Sequence, residues 1–206
     1  MRSAGGFICA VSAGIVVVIW GQEPKTSTPP FWDGVYSQNS RIFSHQPTEL
    51  LKWAVKDRTP GKALDVGMGQ GRNSIFLARQ GWDVTGFDPS AEGIRQARAA
   101  AEEFQVRLNA LVAREEDFDF GQKKWDLIVM TYVRLVNGKD AARIQRALRP
   151  GGIFVYENNN TGVPNDLLRA FLGFRVLHFE DTDAYTDWHP EKKQRVERLV
   201  AERTTK

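Results

Sequence analysis

Thiols are almost absent from this chain. Its single cysteine, Cys9, lies close to the N-terminus. The body therefore has no disulfide, no cysteine-based metal site and no cysteine nucleophile. Histidine is nearly as scarce. His45, His178 and His189 are far apart and lack ligand spacing, so no metal is expected. An excess of one charge is also missing. The 28 basic residues are offset by 25 acidic ones, which leaves a formal charge of +3. That balance does not call for nucleic acid, and none is expected as a partner. The composition is not that of a disordered chain: 42% hydrophobic and 26% charged residues can build a packed core. A length of 206 residues suits one domain with a short extension, and no internal repeat is visible.

Long apolar runs are confined to one place. Residues 7–20 are apolar except for Ser12, and Arg2 precedes them. The run is short for a bilayer span of about 20 residues, but it suits the apolar region of a signal peptide. Gly21 and Gln22 end it without a clean small-residue cleavage site. Residues 1–22 thus read as a leader, either a signal peptide or an anchor. Residues 23–30 read as a polar, proline-rich linker, and 31–206 as the folded domain. The leader points to export or membrane anchoring. Membrane contact would come only through residues 7–20, if uncleaved, and a non-functional leader would leave the protein cytoplasmic.

From Pro47 onward helices and strands alternate. Leu50, Leu51, Ala54 and Val55 have helical spacing, which predicts a helix over 47–56. Further helices are expected over 72–80, 91–104, 139–148 and 164–171. Strands are expected over 63–66, 83–87, 107–113, 125–131 and 153–157. This alternation implies a mainly parallel sheet covered by helices on both faces. Segments 174–180 and 195–201 have no long helix between them and read as a closing antiparallel pair, although Glu197, Arg198 and Ala201 suit a helix equally well. The fold class is α/β, a doubly wound, mainly parallel seven-stranded sheet.

The first strand runs into Asp65-Val66-Gly67-Met68-Gly69-Gln70-Gly71-Arg72-Asn73-Ser74. A strand ends, three glycines alternate and a helix begins. Glycine permits tight turns and close approach of a ligand. The helix start offers unpaired N–H groups to a carboxylate or phosphate. Open α/β sheets bind ligands at such a crevice. The dinucleotide fingerprint is G-x-G-x-x-G. Here the spacing is G-x-G-x-G, with Arg72 in place of the last dinucleotide glycine. A second acid, Asp88, stands at the end of the second strand, before Pro89 and seventeen residues after Gly71. A carboxylate there can accept both hydroxyls of a ribose. Asp88 or Ser90 could instead cap the next helix.

Together, Asp65, the glycine loop and Asp88 resemble the first motifs of class I methyltransferases. The resemblance implies S-adenosylmethionine as cofactor, with Asp65, Gly67, Met68, Gly69, Gly71 and Asn73 around its methionine part and Asp88 and Pro89 at its ribose. The family usually places an acid near the adenine after the third strand. Arg114 stands at that place here and Glu115 and Glu116 follow; these acids, or a backbone N–H, would read the adenine, or else the stretch is a solvated charge run. Residues 125–132 resemble the family's fourth motif, which puts Met130, Thr131 and Tyr132 at the reaction space. The opening Phe31-Trp32-Asp33 with Tyr36 and the Gly71-Arg72-Asn73-Ser74 helix start look like the small tellurite-resistance and thiopurine-type methyltransferases. That likeness makes Trp32 and Tyr36 parts of a lid, or else packing for the first helix. It also sits uneasily with an export leader, because the cofactor is made in the cytosol.

The likeness implies methyl transfer to a small molecule, since no separate recognition domain is present. If the acceptor must lose a proton, Tyr132 and His45 are the candidate bases. Two other readings remain open at this level. One is a nucleotide-dependent oxidoreductase on a related sheet. The other is a membrane-tethered, non-catalytic cofactor-binding module.

Overall fold

A computed structural model describes residues 29–38, 46–159, 162–186 and 189–205. The leader, most of the linker and His45 lie outside these residues. Seven strands form one sheet in the order β3-β2-β1-β4-β5-β7-β6. The first five, β1 (Lys62–Val66), β2 (Asp83–Asp88), β3 (Asn109–Val112), β4 (Trp125–Thr131) and β5 (Leu148–Asn158), pair in parallel. The last two, β6 (Arg175–Thr186) and β7 (His189–Glu202), run as an antiparallel hairpin, and β7 pairs with β5.

Side chains alternate between the faces of a strand. One face carries Leu64, Val66, Ile128, Met130, Phe154 and Tyr156 and packs against α5 (Gly138–Ala147) and α6 (Asp166–Ala170). The other carries Ala63, Leu127, Val129 and Val155 and is covered by α2 (Glu49–Val55) and α3 (Arg72–Arg79). Beside α3, α4 (Ala91–Glu103) lies over β2 and β3. Burying a Leu or Phe at such positions stabilises the fold by about 1.5–3 kcal/mol each.

Helix boundaries follow their caps. α2 begins at Glu49 because the Thr48 side chain accepts the Leu51 N–H, so Pro47 precedes the helix instead of opening it. Ser90, not Asp88, caps α4 by accepting the Gly93 N–H at 3.0 Å. α5 opens on a reciprocal box between Asn137 and Asp140.

The structure departs from the expected elements at β5, which starts at Leu148 rather than Ile153, and at both ends of the domain. Pro29–Gln38 is a helix, α1, so the expected linker ends inside a helical element. The closing strands reach twelve and fourteen residues, well beyond 174–180 and 195–201. β7 is a strand despite its helix-compatible residues. Pairing with β5 and β6 buries Val196, Leu199, Val200 and Ala201, and that burial overrides local propensity.

Candidate functional site

The crest between β1 and β4 is where the strand order reverses, and helices leave the sheet there to opposite faces. Asp65 lies near the end of β1 on the α2–α3 face. It is buried, and its Oδ2 accepts the Ser74 hydroxyl at 2.6 Å. Burial pushes its pKa up to about 7, against the opposing pull of the Ser74 hydrogen bond.

The glycine loop then turns. Met68 donates its N–H to the Phe87 carbonyl, and Gly71 donates back to Met68. Two glycines are required by contact as well as by conformation. Gly67 has φ +65°, and a Cβ there would stand 2.5 Å from Val133 Cγ2. Gly69 has φ +54°, and its Cβ would stand 2.6 Å from the Tyr36 hydroxyl. Gly71 precedes α3 with no side-chain cap, so the first N–H groups of α3 have no capping side chain.

Asp88 closes the loop from β2. Its Oδ2 accepts the Gly69 N–H at 2.9 Å and its Oδ1 the Ser90 N–H at 2.8 Å. It is buried, which raises its pKa to about 6 against these two backbone bonds. Pro89 is half-buried beside it.

Asn73 joins three elements. It accepts from Thr48 N at 3.1 Å and donates to Thr131 Oγ1 at 3.0 Å. Tyr36, Gln46, Asp65, Gly69, Asn73 and Thr131 are among the residues that line a cavity of about 720 Å³, large enough for a nucleoside-sized ligand. Gly67 and Met68 border it too, and Met68 also packs against Ile94, Ala97 and Ala110.

α1 covers one side of this site. Asp33 accepts from Ser90 Oγ at 2.6 Å and from Glu92 N at 3.1 Å, which holds its carboxyl below the usual range. Gln96 donates to the Tyr36 carbonyl at 3.1 Å. The Tyr36 ring is buried, and burial drives its hydroxyl pKa upward. Trp32 is half-buried against it, with ring centroids 6.2 Å apart.

Three expected site residues stand elsewhere. Met130 pairs with Val66 and so faces the α5 side, away from Asp65. Glu115 is captured by Arg134, with Nε to Oε2 at 2.8 Å, and by Arg143 at 3.4 Å. Exposed Glu116 lies 3.6 Å from Arg114. None of these lines the large cavity; Trp32, Gly71, Asp88, Pro89 and Tyr132 are not among its lining residues either. Tyr132 sits at the end of β4 with φ +57° and donates its hydroxyl to Glu157 Oε1 at 2.5 Å. No motif marked Asp33, Gln46 or Glu157 for the site. Only Asp33 carried a signal, as an acid inside the aromatic opening.

The family model described as "Methyltransferase domain" matches residues 63–152. Two curated relatives extend the comparison. "Hemagglutinin 1" of Eikenella corrodens is 32% identical over 111 residues, covering 50% of this chain and 35% of that protein. "Probable S-adenosyl-L-methionine-dependent methyltransferase TehB" of Haemophilus influenzae is 34% identical over 145 residues, covering 66% of this chain and 48% of that protein. The chain thus spans less than half the length of either relative. The crystal structure of TehB from Haemophilus influenzae superposes with a TM-score of 0.68 at 19% identity, over 84% of this chain and 67% of that one, a likeness of fold.

Proposed function

We propose that this chain, which belongs to the class I S-adenosylmethionine-dependent methyltransferases, transfers the methyl group of that cofactor to a small-molecule acceptor. The observation that carries the reading is one arrangement: two buried carboxylates, Asp65 and Asp88, flank a glycine loop at the crest of a parallel sheet, beside a cavity of about 720 Å³. The residues fit the cofactor. A carboxylate oxygen has two acceptor sites. Asp88 spends one on each side for backbone N–H groups, which leaves one on each oxygen for a ribose hydroxyl. Asp65 suits the cofactor's ammonium group, directly or through water. The N–H groups that open α3 suit its carboxylate.

When bound, the cofactor supplies an activated methyl sulfonium. The protein's part is then to hold donor and acceptor in line and to exclude water, which can supply several kcal/mol of the barrier. Tyr36 and Trp32 on α1 are proposed as the cover, latched to α4 by Asp33. With Glu115 engaged by arginines, adenine recognition falls to backbone groups after β3. The G-x-G-x-G loop and the antiparallel closing hairpin support methyl transfer over nucleotide-dependent redox chemistry.

Incubation with methyl-labelled S-adenosylmethionine and a panel of thiol, metalloid, halide and amine acceptors tests the reading. Label on an acceptor supports it. Binding without turnover on any acceptor favours a non-catalytic module, and binding of NAD in its place favours the redox reading. The apolar run at residues 7–20 supports an exported or membrane-anchored protein. Cell fractionation, with and without residues 1–22, tests that: cytosolic recovery of the full chain contradicts it.

A further inference from the structure

Beyond the cofactor cavity a polar row crosses the α2–α3 face of the sheet. Thr131 on β4 is in register with Glu157 on β5, Glu157 with Arg198 on β7, and Arg198 with Glu180 on β6. Thr131 lines the cavity and is held by Asn73. Glu157 is only 3% exposed. Its Oε1 accepts the Tyr132 hydroxyl at 2.5 Å, and its Oε2 lies 3.3 Å from Arg198 Nε. Arg198 is braced in turn by Glu180 at 2.8 Å.

Tyr132 is clamped at both ends. Its N–H donates to the Glu157 carbonyl at 2.8 Å while its hydroxyl reaches the same residue's carboxylate. The clamp holds an aromatic residue at φ +57°, a left-handed conformation that costs of order 1–3 kcal/mol. Such strain persists where the surroundings impose it, and here the hydroxyl ends beside Glu157 on the α2–α3 face. One chain neighbour, Thr131, lines the cavity, while Val133 stands against Gly67 and packs on the α5 side of the sheet. The guanidinium of Arg72, another cavity residue, stands 5.8 Å from the ring centroid.

We propose that Tyr132 receives the acceptor's proton, that Glu157 positions it and takes its own proton onward, and that the acceptor is a small neutral molecule whose methyl-receiving atom bears a proton, a thiol or a hydroxyl. The inference rests on the methyl-transfer reading above. In the step, the bond from the acceptor atom to the methyl carbon forms as the sulfonium–methyl bond breaks. The acceptor's proton passes to Tyr132 Oη, and the tyrosine's own proton passes to Glu157 Oε1. The sulfonium's positive charge is thereby lost, and Glu157, neutral at the end of the step, returns its proton to solvent. Arg198 keeps Glu157 aimed, as a positioning residue. An acceptor that arrives already as an anion has no use for the relay.

The test compares an alkanethiol, protonated at neutral pH, with a nitro-substituted aryl thiol that is already a thiolate. Tyr132→Phe and Glu157→Gln should each lower kcat for the alkanethiol by about 100-fold, the low end for a general base. They should leave KM for the cofactor and the rate with the aryl thiolate within about threefold. Glu157→Gln keeps a hydrogen-bond acceptor, so a purely structural role would spare kcat. In cofactor-free protein, urea unfolding of the two single variants and the double variant should be non-additive, as the direct hydrogen bond requires. Equal loss with both thiols, no loss with either, or additive unfolding effects overturns the inference. Wild-type protein that binds cofactor but turns over neither thiol overturns it alone. Wild-type protein that fails to bind cofactor overturns the methyl-transfer reading and this inference together.

Discussion

The Gly69 N–H donates to Asp88 Oδ2 at 2.9 Å, linking the middle glycine of the loop to an acid nineteen positions later. One carboxylate thus shapes the loop and, in the proposed function, accepts the ribose hydroxyls. Asp88→Ala is expected to weaken S-adenosylmethionine binding by about 1.5–3 kcal/mol, the range for hydrogen bonds to charged groups. It also orphans the Gly69 and Ser90 N–H groups, so a stability loss of about 1–3 kcal/mol is expected with it. Calorimetry and urea unfolding check the two effects. Full affinity in Asp88→Ala would remove the acid from the ribose site.

Asp65 predicts opposite pH trends for folding and binding. Its pKa rises from 3.8 to about 7 on burial, so between those values the unfolded chain has released a proton that the folded chain retains. Stability from this group is therefore fully present below pH 4 and is lost as pH rises through about 7. Cofactor affinity should move the other way, because the ammonium group needs the ionised form. Asp65→Asn should flatten the unfolding trend between pH 4 and 7 and abolish the rise in affinity. Denaturant midpoints and calorimetry at pH 5, 6, 7 and 8 report both, and a wild-type affinity independent of pH would contradict the assignment.

Gly69→Ala should damage the protein through Tyr36. The added Cβ would lie 2.6 Å from the Tyr36 hydroxyl, at a backbone φ of +54° that costs an L-residue roughly 1–2 kcal/mol. Tyr36→Phe removes the clashing oxygen and should recover part of the lost stability and affinity in the double variant. Additivity of the two changes in unfolding and calorimetry would mean that α1 does not close over the loop.

Asn73→Ala breaks ties to both Thr48 and Thr131 in a buried setting. An unsatisfied buried group costs about 1–3 kcal/mol, so a total loss of about 2–4 kcal/mol is expected. Urea unfolding measures it, and a loss under 0.5 kcal/mol would show that water replaces the side chain.

The crest of the site was legible in the sequence because its signals are local. Asp65, the three glycines and Asp88 lie on one strand–loop–helix–strand stretch, and backbone geometry dictates their spacing. What escaped depended on partners far away in the chain. Glu115 follows β3 where an adenine-reading acid is expected, yet Arg134 and Arg143 from the next unit capture it. Met130 lies at the right strand end, but strand alternation turns it to the α5 face. α1 has Phe31, Trp32, Val35 and Tyr36 at helical spacing, but its two prolines and Gly34 obscure the signal, and Asp33 latches it to α4. β7 reads ambiguously by propensity and is decided by pairing with two neighbours. Glu157 belongs to no motif, and only the register brings it to Tyr132.

Methyl transfer itself can be counted in one measurement. Full-length protein is incubated with methyl-labelled S-adenosylmethionine and the acceptor panel, and both S-adenosylhomocysteine and labelled acceptor are counted. Equal amounts of the two are expected with at least one acceptor, and a fall of ten-fold or more in Asp88→Ala at sub-saturating cofactor, the consequence of losing about 1.5 kcal/mol or more of binding. No S-adenosylhomocysteine above background with any acceptor, or equal turnover in Asp88→Ala under those conditions, would contradict the methyl-transfer reading.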